Sequence, residues 1–376
     1  MPLLPSYFII EAAFAPLPQP FMQALRLVEI ETAVDKASIF RLHFELSRNF
    51  MGDYDVLAID IFRPLLPIRI SISALFGLPL CLINGFVREV RLGGKNDPGQ
   101  STLQVVGMDS LGTLMSHIQT PMQWPVMPDS VIAAQIFAKY AIVPVIFPTP
   151  PTRTPLDPAM TQREHDAAWL MRLARRNGYE VYIRPDPVIG LDQGYFMPPQ
   201  TMLPPQGVLS YDFGSQTNLN SFDVNFDMLR PAAVVGLTTD PTTRLPIPAV
   251  APVSTDLPMG LEPALNRILP PPIELYQGEG TNPAEVQIQA LARATRSSRA
   301  VKATGEADAI KLTRPLMAGM PVLVRGAGRE HSGLYYVTSV THRISRDDYV
   351  QSFTAQRNAV GLTGAEVFID LLAPAG

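Results

Sequence analysis

Cysteine is almost absent. Cys81 stands alone in 376 residues, which excludes an internal disulfide framework and any all-cysteine metal site. It lies in the apolar run Leu78–Ile83, where a small buried hydrophobe is expected. Charge is scarce too, at 17% of residues against about 25% in an ordinary globular chain. The net charge is −4 with no basic block, so no specific nucleic-acid binding through phosphates is expected. No run of about 18 apolar residues is free of charge, so neither a spanning helix nor direct membrane insertion is expected. The opening MPLLPSYFIIEAAFAPLPQPF lacks a positive n-region, its first charge is Glu11, and prolines at 2, 5, 16, 18 and 20 break any helix. It does not read as a signal peptide, and the chain is expected to be made and folded in the cytoplasm.

Motifs that carry chemistry are missing as well. The five histidines (43, 117, 165, 331 and 342) are scattered, and neither HExxH nor a Cys/His pair with ligand spacing occurs. There is no G-x-S-x-G elbow. Gly99-Gln100-Ser101 lacks the lysine of a phosphate loop, and Gly326-Ala327-Gly328 precedes a strand and lacks the third glycine and helix of a dinucleotide fingerprint. Glu164-His165-Asp166 invites a metal reading, but consecutive helical residues point about 100° apart. A solvated helix face is the expectation there. His342 shares a strand face with Tyr336, Val340 and Ile344, which predicts a half-buried, hydrogen-bonded structural histidine. No pair of carboxylates can be named for acid–base work. No catalytic residue, cofactor or metal is therefore expected.

What the chain does have is apolar bulk and proline. Hydrophobic residues make up 47%, too many for disorder, and 38 prolines are roughly twice ordinary usage. The length allows two or three domains. Phe40, Leu42, Phe44 and Leu46 alternate with Arg41, His43, Glu45 and Ser47, and Ile68, Ile70 and Ile72 with Arg69, Ser71 and Ser73. Period two with one apolar face predicts strands with a core side and a lumen or interface side. Phe86–Leu92 and Thr102–Gly107 flank the turn-rich Gly93–Gln100, predicting a long-looped hairpin. The middle third changes character. Asp129 or Ser130 is placed to cap a helix through Val131, Ile132, Ile136, Phe137 and Tyr140. After the proline-rich Pro144–Pro158, a second helix is predicted over Gln162–Asn177. Trp169, Leu170 and Leu173 line one side, Arg172, Arg175 and Arg176 the other, and Gly178 takes the left-handed cap before a strand at Tyr179–Ile183. Leu209–Met228 reads as β with a polar centre at Gly214–Asn220. Pro241–Pro272 shows no regular period and is expected to be an extended connection with polyproline-II character. Pro283–Arg296 predicts a helix with an alanine-rich face. Ala300–Leu312, Pro321–Gly326 and the hairpin in Gly333–Gly361 build a second β region around the turn Arg346-Asp347-Asp348.

Three stretches carry a family likeness. One is Ile83-Asn84-Gly85-Phe86-Val87 followed by Leu103-x-Val105-x-Gly107-x-Asp109-x-x-x-x-Leu114. The second is Gln162-x-x-x-x-Asp166-x-x-Trp169-Leu170-x-Arg172-Leu173-Ala174, leading into Gly178-Tyr179-x-Val181-Tyr182. The third is Leu316-x-x-Gly319-x-x-Val322-x-Val324-x-Gly326 with the hairpin residues Gly333, Tyr336, Val340, His342, Tyr349, Phe353, Arg357 and Asn358. Together they resemble the phage late control protein D family, the baseplate or tail hub proteins of contractile phage tails and contractile injection systems.

The resemblance implies a mostly β fold: two tail-tube-like antiparallel barrels with a small inserted α/β domain. It divides the chain into a first barrel (1–118), the insert (119–206), a β segment returning to the barrels (207–240), a proline-rich extended connection (241–280) and a second barrel with a helix and the C-terminal hairpin (281–376). It also implies a homotrimer whose six barrel units adapt a sixfold inner tube to a threefold spike and nucleate tube assembly. The partners would be further copies of the chain, the inner tube protein, a spike and baseplate wedge or other hub-associated proteins. The chain stops soon after Arg357-Asn358-Ala359, so the spike is expected to be a separate polypeptide, and no lysozyme or peptidase module is recognised. The expected setting is a phage tail or tail-like particle. The rivals are a β-domain cell-wall hydrolase of the tail, and a hub-like adaptor of a non-contractile tail or secretion system.

Overall fold

The computed structural model describes residues 7–48, 51–54, 59, 61–73, 79–95, 100–119, 121–151, 153, 159–239, 244–268, 270–277, 283–312 and 314–368. Expectations for Pro2, Pro5, Leu78 and Pro241, and for 96–99 and 154–158 in two predicted connections, fall outside these residues.

The first β region contains β1 (Tyr7–Ala12), β2 (Leu25–Ala33), β3 (Ile39–Leu46), β4 (Pro67–Ser73), β5 (Leu80–Gly93) and β6 (Ser101–Met108). Ladder order is β2-β3-β6-β5-β4-β1, antiparallel throughout. The alternation expected of β3 and β4 holds: Phe40, Leu42, Phe44, Leu46, Ile68, Ile70 and Ile72 are all buried in one core.

The inserted unit has α1 (Asp129–Lys139), β7 (Val143–Ile146), α2 (Asp166–Asn177), β8 (Glu180–Pro185) and β9 (Asp192–Met197). Two expectations are corrected here. Pro128 takes the N-cap position of α1, so neither Asp129 nor Ser130 caps it. Asp129 instead accepts hydrogen bonds from Arg176 (2.5 Å from Nε) and Asn177 (2.6 Å), while Ser130 is tied to Thr149. Helix α2 starts at Asp166, not Gln162, because Met160–Gln162 pairs as a short strand with Met122–Trp124. Gly178 does take the left-handed cap, at φ 72°.

The second β region adds β10 (Val208–Ser210) and β11 (Leu219–Phe226), followed by β12 (Ala233–Thr239), β13 (Pro246–Ala251), β14 (Ile273–Gln277) and α3 (Pro283–Ser298). It ends with β15 (Val301–Asp308), β16 (Pro321–Arg325), β17 (Gly333–Ser345) and β18 (Tyr349–Arg357). The proline-rich stretch is more ordered than an extended connection. β13 pairs antiparallel with β12, and β14 pairs parallel on its other side. α3 buries Val286, Ala290 and Ala294 against Val234, Ala249 and Ala251 of that sheet. Prolines 246 and 248 are tolerated because β13 is an edge strand.

Strands β2 and β17 pair antiparallel from Ser339↔Ala33 to Ser345↔Leu27. That pairing fuses the two regions into one 13-stranded sheet. Two separate closed barrels are therefore not what the described residues form. On the first side the ladder ends on the two-residue strand Ala15–Pro16, which pairs with Glu11 and Ala12 of β1, and Pro18 and Pro20, lacking N–H groups, carry it no further. Phe21 of the short helix Gln19–Ala24 packs edge-on against Phe44 and Phe62 there instead. On the second side β10 and β11 approach without pairing, and Asn218 spans them, its side chain bonding Ser210 N (2.7 Å) and Val208 O (2.9 Å).

Candidate functional site

The motif residues do not converge on one cavity. They form four buried clusters that fix how the layers meet.

In the first cluster a phenyl ring replaces side chains that the opposite strands omit. Phe40 on β3 sits opposite Gly107 on β6. A Cβ on Gly107 would lie 2.2 Å from the ring and 2.6 Å from Phe86 O, and a Cβ on Gly85 2.8 Å from the ring. Only glycine admits so close an approach. At the exit of β6 the buried Asp109 carboxylate accepts from Ser38 N (2.8 Å) and Gly112 N (3.0 Å), tying that exit to the β2–β3 turn. Burial pushes its pKa up to about 7, against the lowering effect of those hydrogen bonds.

The second cluster organises the insert. Buried Gln162 accepts from Trp124 Nε1 (2.9 Å) and donates to Asp166 Oδ1 (2.6 Å), and Asp166 Oδ2 accepts from Lys139 (2.7 Å) and Tyr140 (2.8 Å). Burial works to raise the Asp166 pKa, but hydrogen bonds from Lys139, Gln162 and Tyr140 together hold it below the usual range. The solvated-face expectation for Glu164-His165-Asp166 is thus corrected at Asp166. The three still diverge, since Glu164 pairs with Arg172 (2.9 Å) and His165 precedes the helix. Trp169 and Leu173 are core, with the Arg172 guanidinium 4.4 Å over the indole. Tyr179 donates to Pro148 O (2.9 Å).

The third cluster lies in the C-terminal hairpin. Val340 on β17 faces Phe353 on β18. His342, expected to be half buried, is 1% exposed, because β2 and β18 cover both its flanks. Its Nδ1 lies 2.9 Å from Tyr349 Oη. Burial lowers its pKa to about 4, with a hydrogen bond to the Leu316 backbone opposing. Arg357, fully buried, donates to Ser332 O (3.0 Å) and Glu330 O (2.7 Å) and stacks on Tyr335 at 4.9 Å. Gly333 holds φ 128°, and a Cβ there would press on Arg357 at 3.0 Å. Asn358 accepts from Met259 N (2.9 Å) and donates to Leu257 O (3.0 Å), pinning the proline-rich segment.

The fourth cluster joins the others, and only Tyr336 of it belongs to the motif residues. Tyr336 Oη donates to Glu180 Oε2 at 2.5 Å. Arg299, at the end of α3, lies 3.8 Å from Glu180 Oε1 and donates to Asp256 Oδ2 at 2.6 Å. Insert, second β region, α3 and proline-rich segment thus share one buried ionic group. Burial raises the Glu180 pKa to about 7, although Arg299 and the Tyr336 hydrogen bond pull the other way. A lone charge between Tyr179 and Val181 was the signal available at Glu180, while Arg299, between Arg296 and Lys302, gave none, and their partners lie far away in sequence.

Among the described residues no group of three or more His, Cys, Asp or Glu is placed to hold a metal ion, and no helix is long and apolar enough to cross a membrane. The outer face of the β12–β14 sheet is apolar and uncovered: Leu275 is 75% exposed, Ile273 66%, Val250 51% and Leu237 45%. Val250, Val235 and Leu275 form one row across its three strands. An apolar row of that kind, on a sheet already packed against α3 on its other face, marks a candidate contact surface.

Neither a known protein family nor a curated protein matches the chain by sequence. Solved structures do match by fold. The 43 kDa tail protein of prophage MuSo2 from Shewanella oneidensis superposes with a TM-score of 0.67 at 14% identity, over 94% of this chain and 99% of that one. The tail protein from Neisseria meningitidis MC58 gives 0.64 at 13% identity, over 94% and 97%. The E. coli c3393 protein, a component of the type VI secretion system, gives 0.53 at 11% identity, over 89% and 73%.

Proposed function

We propose that this chain, folded as those tail proteins are, is a structural tail hub: a homotrimer that adapts a sixfold inner tube to a threefold spike and carries no reaction of its own. The observation that carries this reading is the doubled β architecture. Two β regions fuse through β2 and β17, and each presses a phenyl ring onto a glycine of the neighbouring strand, Phe40 on Gly107 and Phe353 on Gly305. Two similar modules per chain let three chains offer six similar units. The apolar outer face of β12–β14 supports contact between copies, since such a face in water favours association. Motif residues that serve as struts between layers fit a scaffold. Tube, spike and wedge proteins are the partners that such a hub would meet.

Light scattering of the purified 41.2 kDa chain tests the reading. The expected result is a particle of three times that mass, seen as a threefold ring by electron microscopy when assembled between tube and spike. A chain that stays monomeric in such an assembly overturns the reading, as does turnover of peptidoglycan by the pure protein. The likeness to the type VI component supports a second setting for the same hub, a secretion machine. Copurification with a phage tube or with a secretion-system tube separates the two.

A further inference from the structure

A cleft of about 540 Å³ opens where the insert, α3 and the outer face of β15, β17 and β18 meet. Its lining is strongly cationic in a chain whose net charge is −4. Two of the six cations there are neutralised: Arg299 by Asp256 and Glu180, and Lys36 by Glu31. The other four, Arg175, Arg230, Arg296 and Lys302, have no carboxylate at ion-pair distance among the described residues, and Asp35 is the one other acid in the lining. Arg296 is crowded by its own kind. Its side chain donates to the Arg175 carbonyl (3.1 Å), and burial followed by the charges of Arg175, Arg299 and Arg293 lowers its pKa. Asp35 alone draws the Arg296 charge the other way, so the four unpaired cations around one cleft leave a place that an anion can fill.

The floor narrows the class of that anion. Thr354 and Ser339 face each other across β18 and β17, and Gln356 lies opposite Lys302 across β18 and β15. Hydroxyls and an amide on a strand surface suit a peptide's N–H and C=O groups. The one aromatic residue of the lining, Tyr179, is committed, with its hydroxyl on Pro148 O and its ring against Phe147 and Phe196. No free ring is left on which a nucleobase could stack. We propose that this cleft binds an acidic peptide segment of a partner protein, its carboxylates held by Arg175, Arg230, Arg296 and Lys302. The proposal does not depend on the hub reading.

Fluorescence anisotropy with a labelled hexaglutamate peptide tests it, with a hexaglutamine peptide and inorganic tripolyphosphate as competitors. The expected result is salt-sensitive binding of hexaglutamate that Arg175→Ala and Lys302→Ala each weaken by roughly three- to tenfold, and the double variant by more. Both side chains are solvent-exposed, so the variants should fold, and melting curves check that. Arg91→Ala, which alters a cation outside the cleft, should leave binding unchanged. Hexaglutamine competing equally, or binding insensitive to the double variant, overturns the proposal. Binding of tripolyphosphate without hexaglutamate overturns the peptide class, and none of these outcomes bears on the number of subunits.

Discussion

The two β regions solve the same packing problem with different materials. The first fills its core mainly with Ile, Leu, Val and Phe side chains, joined at its edge by Ile344 and Tyr349 of the second region's hairpin. The second relies on alanines (Ala303, Ala307 and Ala355) beside Tyr335 and Phe353, and it buries His342, Gln351 and Arg357. The difference follows from what each must receive. The second region meets the insert through Tyr336 and Glu180 and the proline-rich segment through Asn358, so polar groups there have partners across the seams. The first region meets the insert at its rim, where the half-buried Asn84 donates to Gly190 O (2.6 Å) and Asp192 Oδ1 (2.9 Å), while its fully buried carboxylate, Asp109, accepts from its own region's turn and exit. Both regions dock through hydrogen-bonded polar groups, but those of the second, Tyr336 and Asn358, are buried, while Asn84 of the first is only half-buried.

The sharpest break in the comparison comes at the two glycines under phenyl rings. At Gly107 a Cβ would lie 2.2 Å from Phe40 and 2.6 Å from the Phe86 carbonyl, so ring and backbone must both move. Gly107→Ala is expected to cost about 3 kcal/mol or more. At Gly305 the nearest atoms are 2.8 Å away, on Phe353 and Ser221 O, and Gly305→Ala is expected to cost about 1–2 kcal/mol. Denaturant midpoints at constant slope give both values. Equal costs would mean that the two rings are seated alike.

Acid separates the regions by sign. The folded His342 pKa of about 4 lies below the ordinary value of 6.5. Between those pH values the unfolded chain binds a proton that the folded chain refuses. Its contribution is therefore complete above pH 6.5 and is lost as pH falls toward 4, by up to about 3 kcal/mol. Asp109 runs the other way, since a folded pKa of about 7 makes its contribution largest in acid and smaller as pH rises toward 7. His342→Gln should flatten the loss of stability between pH 6.5 and 4, read from urea unfolding at several pH values. An unchanged slope would remove His342 from the account.

Much of this was legible in the sequence where one strand or helix face carries the signal. Phe40–Leu46, Ile68–Ile72 and the Gly333–Gly361 hairpin alternate because one side of each strand meets a core. Gly178 was legible because the left-handed cap demands it. The β12–β14 sheet was not. Proline density conceals an edge strand whose partner, Ala233–Thr239, has no strong alternation, and pairing across a long connection leaves no local trace. Gln162 was misplaced by the same logic, because its pairing with Met122 overrides a good helical pattern. The joining of the two β regions at β2 and β17 is likewise a contact between chain ends. Of the ionic cluster, Tyr336 alone could be singled out, since Glu180, Arg299 and Asp256 acquire meaning only from each other.

The smallest expected effect concerns how each region ends its ladder. The first ends on the short strand Ala15–Pro16, after which Pro18 and Pro20 offer no donor to leave unpaired. The second stops at a gap that Asn218 bridges: its backbone N–H reaches Ser210 O (3.1 Å), its carbonyl takes the Asp308 N–H (3.0 Å), and its amide serves Ser210 N and Val208 O. Asn218→Ala keeps the two backbone bonds and orphans the two groups that the amide served, for a loss of about 1–2 kcal/mol. Hydrogen exchange should then speed up at the Ser210 amide while the β1–β4 amides keep their protection. Faster exchange in both regions together would mean that they unfold as one unit through the β2–β17 seam, and the contrast between them would concern composition and not stability.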